Sequence, residues 1–218
     1  MQKYKNIILD REAAAYKLLD VIPMNRLKEE SWKIIAVSNG GLKLGSYIKK
    51  KLKNSLEILF LEAIMAPNNP ECEVARVSET EEIVINEQLV ASFEIQYDYI
   101  YGEAHRKHEE NILSNIYQYR KGRPFPSVEN EVVLLVDDGS ESGSKFITAL
   151  KTVLNQRPKA VYIAVPVLPS DILEQLEPFV DDIYFLHNID DYVETSLYYE
   201  TLEKIDDSMI EKLLEENR

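Results

Sequence analysis

One pattern occurs twice in this chain and narrows its fold more than any other feature: an apolar run, a glycine-bearing turn, a helical stretch, then another apolar run. The first copy is Trp32-Lys-Ile-Ile-Ala-Val37, then Ser38-Asn39-Gly40-Gly41, the helical Leu42 to Leu52, and Leu56 to Leu61. The second is Glu131 to Val136, Asp137 through Gly143, the helical Ser144 to Leu154, and Ala160 to Val165. Strand, turn, helix, strand is the grammar of a βαβ unit. Two such units predict an α/β fold with a mostly parallel sheet flanked by helices.

The rest of the chain fits around that sheet. Asp10 to Ile22 reads as a capped amphipathic helix stopped by Pro23, Asp171 to Glu177 as a short helix, Asp182 to Phe185 as a strand, and Asp206 to Asn217 as a closing amphipathic helix. Ala66-Pro-Asn-Asn-Pro-Glu71 is a turn-rich loop, Val74 to Val77 and Ile83 to Ile85 are short strand candidates, and Glu94 to Arg120 is helical in period until Gly122-Arg-Pro-Phe-Pro126 breaks it. The expected organisation is a single domain, 1–218, with an insertion over 66–126 and a small hood with C-terminal helices over 166–218.

Charge and cysteine usage bound the function. With 25 Lys+Arg against 38 Asp+Glu, the formal net charge is −13, and the basic run Lys49-Lys50-Lys51-Leu52-Lys53 reads as the solvated end of a helix, so nucleic-acid binding is not expected. A single cysteine, Cys72, fits a reducing compartment. No stretch approaches the ~20 apolar residues of a membrane span, so the expected location is cytoplasmic.

The second turn is the candidate site. In an open parallel sheet, ligands bind beyond the carboxyl ends of the strands, which is where Asp137 and Asp138 fall. Gly139 and Gly143 let the backbone turn and approach a ligand, while the N–H groups at the helix start and the hydroxyls of Ser140, Ser142 and Ser144 make an anion cradle suited to a phosphate. Adjacent acids repel a phosphate unless they face sugar hydroxyls or a divalent cation carried by the same ligand, a combination that points to a phosphorylated sugar. Helix capping accounts for one acid and one serine, and no more. A Walker loop does not fit, because the glycines are too close and no Lys-Ser/Thr pair follows. His105 and His108, with Glu109, have a superficial metal spacing and no third ligand, so they read as surface histidines.

The stretch Val132-Val-Leu-Leu-Val-Asp-Asp-Gly-Ser-Glu-Ser-Gly-Ser144 resembles the PRPP-binding loop of type I phosphoribosyltransferases. The chain is further similar to a bacterial branch of predicted phosphoribosyltransferases through Asp10-Arg11-Glu12-Ala13-Ala14, Ser38-Asn39-Gly40-Gly41, Met65 to Glu71, Tyr119-Arg120-Lys121-Gly122-Arg123-Pro124, Ala164 to Pro169 and Tyr198-Tyr199. The resemblance implies a Mg²⁺-dependent transfer of the 5-phosphoribosyl group from PRPP to a nitrogenous base, a purine above all, with release of pyrophosphate. It implies that Asp137 and Asp138 hold the ribose hydroxyls and the metal, Gly139 to Ser144 the 5′-phosphate, and Asn39, Gly40 and Gly41 the pyrophosphate. Asp138 and Glu141 are then the catalytic candidates, Tyr198 and Tyr199 the base-binding ones, and a homodimer the expected assembly.

The departures from that branch matter as well. Asn39 replaces an arginine, Leu61-Glu62-Ala63 replaces a basic pair, and Lys145 stands where threonine is usual. Glu141 is either the general base or a solvated loop glutamate, and Lys145 either adds charge near the phosphate or points to solvent. The lost cations motivate an alternative function, a PRPP- or nucleotide-binding regulator without turnover.

Overall fold

The computed structural model describes residues 7–23, 32–52 and 54–216. Helix α1 (Arg11–Val21) starts under Asp10, whose carboxylate accepts the Ala13 N–H at 2.7 Å. Strand β1 (Trp32–Ala36), helix α2 (Asn39–Leu52) and strand β2 (Ser55–Ile58) form the first βαβ unit; β6 (Val132–Val136), α6 (Ser144–Leu154) and β7 (Ala160–Pro169) form the second. Helix α7 (Ser170–Leu176) then leads to β8 (Asp182–Ile189), and α8 (Asp207–Glu215) closes the described chain.

The two units build a five-stranded, all-parallel sheet in the order β2-β1-β6-β7-β8. All five residues of β6 are buried, as a central strand covered on both faces requires. On one face, α1 and α2 pack over Trp32, Tyr162 and Tyr184, whose rings stack in a row at 4.6 and 5.9 Å. On the other, Phe146, Ala149, Leu150 and Val153 of α6 repeat at helical spacing and bury against Ile35, Leu135 and Ile163.

Between β2 and β6 lies the segment expected as an insertion, and it contains more strand than the sequence predicts. β3 (Leu61–Ala66), β4 (Asn69–Ser78) and β5 (Ile83–Ile85) form a separate antiparallel sheet, with Asn69 already paired to Ala66. The turn-rich 66–71 is therefore a tight hairpin, and the apolar run 56–61 is divided between two sheets. Short apolar runs carry no signal for the sheet they join. Helix α3 (Glu87–Ser92) follows, outside the stretch read as helical, then α4 (Tyr97–Lys107), a π turn (His108–Ile112) and α5 (Leu113–Arg120) within it. This sheet packs on α6 and α4.

The segment after β8 is tied to the N-terminal segment. Ile8 bridges to Tyr199 in parallel, Glu200 N–H donates to Ile8 O at 2.8 Å and Thr201 N–H to Leu9 O at 2.9 Å. The basic run lies in the last turn of α2 through Lys51, and its Lys53 lies outside the described residues. Among the described residues, no helix is long and apolar enough to cross a membrane.

Candidate functional site

β1 and β6 run side by side with Ala36 opposite Val136, so the segments leaving them begin at the same level of the sheet's carboxyl edge. From β1 the chain turns through α2 to β2 on one side; from β6 it turns through α6 to β7 on the other. That reversal opens a crevice between the two turns, the place where open α/β sheets hold ligands. The turns Ser38–Gly41 and Asp137–Gly143 meet there.

Asp137 is fully buried. Its Oδ1 accepts from the Ser38 hydroxyl and from the Asp138 N–H at 2.9 Å. Ser38 Oγ in turn accepts the Gly41 N–H at 2.9 Å, so one serine caps α2 and holds the acid. Lys145, in the first turn of α6, folds back to form an ion pair with Asp137 Oδ2 and donates to Gly139 O at 3.2 Å.

Asp138 is paired differently. Arg11, the first residue of α1, places Nε and Nη2 each 2.8 Å from its Oδ2, and Arg11 Nη1 donates to Glu203 O at 2.6 Å. Burial first, then the charge of Asp137, push the Asp138 carboxyl from its usual 3.8 up to about 6, against the pull of Arg11. Burial works to lower the Lys145 ammonium, but Asp137 outweighs it and the net shift is upward. The Tyr199 hydroxyl, raised by burial and then by Asp138, stays protonated and donates to Asp138 O at 2.6 Å.

A raised Asp138 has a consequence for stability. The folded protein holds this proton more tightly than the unfolded chain, so the group costs nothing below about pH 4, its cost grows as pH rises to about 6, and it is constant above. Two pKa units correspond to at most ~3 kcal/mol. Relative to Asp138→Asn, which does not titrate, wild type should gain stability as pH is lowered from neutral through that window. Urea unfolding of both proteins across it checks this, and a pH-independent difference would contradict it.

Gly40 and Gly41 bring the α2 turn into contact with these acids. A Cβ on Gly40 would lie 2.1 Å from Asp138 Oδ2, and one on Gly41 only 2.4 Å from Val136 O. Asn39 is exposed at the start of α2. Glu62, where a basic residue was expected, turns into the helical segment and accepts from Asn111 at 2.9 Å, with Lys107 at 3.5 Å.

Past the acids, the loop presents its hydroxyls. Ser144 Oγ accepts from Ser142 Oγ and from Arg76 Nε, both at 3.1 Å, while Arg76 also pairs with Glu73 at 2.6 Å. Arg76 is a cation at the cradle that sequence reasoning missed, since it stands on β4, 68 residues before Ser144. Ser140 Oγ is buried and has no partner among the described residues. Glu141, Ser142 and Ser144 line a cleft of about 610 Å³ together with Glu73, Ile85 and Asp171. A second cleft of about 270 Å³ lies beside Arg11, lined also by Lys43 and Tyr47.

Three of the expected roles meet the structure as follows. Tyr198 and Tyr199 are 1% and 6% exposed, Tyr198 tilted against Tyr192 at 4.9 Å, and they present no open ring face to a base. Glu141 is exposed, and its Oε1 accepts the Thr195 N–H at 3.2 Å, so it ties the loop to the segment after β8. Asp137 and Asp138 do not fit as direct ligands of a divalent cation, because Ser38, Lys145 and Arg11 already engage them; among the described residues no group of three His, Cys, Asp or Glu side chains converges on a metal position. His105 pairs with Glu109 at 3.6 Å and His108 Nε2 lies 3.1 Å from Glu79 O.

No family model matches the chain. Curated proteins named "Putative phosphoribosyl transferase" from two strains of Mycobacterium tuberculosis are each 22% identical over 153 residues, 70% of this chain. The match covers 34% of those proteins, so the chain spans about a third of the length of the curated relatives it matches. Among solved structures, TT1426 from Thermus thermophilus superposes with a TM-score of 0.78 at 25% identity, over 96% of this chain and 98% of that one. The acid pair and serine loop at the reversal of a parallel sheet thus come with a likeness in sequence to proteins named as putative phosphoribosyl transferases and a likeness in fold to TT1426.

Proposed function

We propose that the protein binds PRPP at the crevice between β1 and β6 and transfers its 5-phosphoribosyl group to a nitrogenous base, a purine being the expected acceptor. One observation carries this reading: Gly40 lies so close to the Asp138 carboxylate that no side chain fits between them, while the serine hydroxyls and Arg76 gather on the far side of the same loop. An acceptor for sugar hydroxyls and a cradle for a phosphate are thus spaced along one short turn, as a ribose 5-phosphate requires.

The division of labour follows from the chemistry. In the transfer, a base nitrogen forms a bond to C1 of the ribose as the bond from C1 to the pyrophosphate oxygen breaks, and pyrophosphate leaves with the electron pair. Little covalent work falls to the protein, so holding the sugar and stabilising charge supply most of the rate. Asp138 accepts from a ribose hydroxyl through Oδ1, which has no donor among the described residues, and Ser142, Ser144 and Arg76 face the 5′-phosphate. Glu141, exposed at the rim of the cleft, is the carboxylate available to take the proton from the base nitrogen.

Calorimetric titration of PRPP into wild type and Asp138→Asn tests the reading. A hydrogen bond to a charged acceptor is worth about 1.5–3 kcal/mol, so the variant should bind ten- to a hundredfold more weakly, roughly. An identical isotherm for the two proteins would remove Asp138 from the site. A regulator without turnover is the second reading, supported by Glu62 on β3, which accepts from Asn111 and stands in place of a pyrophosphate-binding cation.

A further inference from the structure

The disagreement between the acid pair and a metal carries an inference that rests on the reading above. We propose that Lys145 and Arg11 neutralise Asp137 and Asp138 in place of a divalent cation, so that the protein binds a phosphorylated ribose with no metal on its acid pair. Two carboxylates carry two negative charges; the ammonium and the guanidinium return two positive ones, as one divalent ion would. They arrive from two different helices, Lys145 from α6 and Arg11 from α1.

The oxygens are already allotted. Asp137 Oδ1 takes the Ser38 hydroxyl and the Asp138 N–H, Asp137 Oδ2 faces Lys145, and Asp138 Oδ2 takes two guanidinium N–H groups. Asp138 Oδ1 is left without a donor among the described residues, and Asp137 Oδ2 is met by the Lys145 charge without a hydrogen bond. Magnesium prefers near-ideal octahedral geometry at short distances, and it gains little from one oxygen flanked by two fixed cations that repel it. A neutral sugar hydroxyl needs one acceptor and meets no such repulsion.

Lys145 is the residue that converts the site. Its ammonium meets both Asp137 and Gly139 O, so it is held against the loop. Its charge opposes the acids directly.

The test uses ribose 5-phosphate, which has the sugar hydroxyls and the phosphate but no pyrophosphate to carry a metal of its own. It is titrated into wild-type protein in magnesium and again in excess EDTA. The expected result is the same dissociation constant in both; a loss of about tenfold or more in EDTA overturns the proposal and leaves the functional reading standing. If neither ribose 5-phosphate nor PRPP binds in either condition, the functional reading itself fails and the proposal with it. A second arm reads Mn²⁺ alone by thermal shift: Lys145→Thr, with a freed carboxylate oxygen, should rise in midpoint with Mn²⁺ while wild type does not. An equal rise in wild type overturns the proposal. If the variant does not fold, the wild-type arms decide.

Discussion

Lys145→Met should destabilise the fold by about 3–5 kcal/mol, the cost of stripping the partner from a buried charge. Asp137 is the side chain left behind. It is fully buried at the end of the central strand, and its remaining donors are one serine hydroxyl and one N–H. Methionine adds apolar surface in return, but Lys145 is a quarter exposed and its stem already packs, so that gain is on the order of 1 kcal/mol. The charge wins. Adding Asp137→Asn to the same protein removes the orphaned charge and should recover most of the loss, a coupling that a double-mutant cycle in urea measures directly. A loss below about 1 kcal/mol in the single variant would mean that Ser38 and the backbone suffice to hold Asp137.

Gly41→Ala is the second large effect, and its sign is opposite to the usual one. Inside a helix, alanine is favoured over glycine by about 1 kcal/mol. At Gly41 the new Cβ would lie 2.4 Å from Val136 O and 3.0 Å from Asp137 Cα, and both atoms are backbone. No rotamer relieves that overlap. The α2 turn must lift away from β6, which strains the Val37 N–H to Val136 O bond now at 3.1 Å and drags Ser38 off Asp137. Overpacking of this kind costs about 1–3 kcal/mol or more, so a net loss of roughly 2 kcal/mol is expected, together with weaker PRPP binding. Equal thermal midpoints for the two proteins would show that the turn tolerates the shift.

The strands that place the site are legible in the chain because their signals are local. The apolar run 132–136 and the β-branched run 32–36 stop where their turns begin, and those turns form the crevice. The cations are not legible. Arg11, Arg76 and Lys145 meet the loop from three elements, and their sequence separations from it carry no pattern. Lys145 illustrates the difficulty: from the letters it either faces a phosphate or points to solvent, and the structure turns it back onto Asp137. Tyr198 and Tyr199 look like stacking platforms as a pair of aromatics, but the pairing of 199–201 with Ile8 and Leu9 buries them. The antiparallel sheet escaped for a similar reason, since partner choice among short strands is decided by packing at a distance.

Electrostatics joins these details. A buried acid pair at the carboxyl edge of a parallel sheet is costly unless something opposes it, and here the protein opposes it with its own side chains. Asp138 keeps part of that cost, visible as a carboxyl held near 6. Such a displaced value beside a cleft is common at functional sites.

The measurement that tests the central claim most directly is pyrophosphate release from PRPP by the wild-type protein across a panel of purine and other nitrogenous bases, with nucleotide formation followed in the same samples. Release that requires a base and is matched by nucleotide is the result this account predicts. PRPP that binds but is never turned over would contradict transfer and leave a sensor, and PRPP that does not bind at all would contradict the assignment of the crevice.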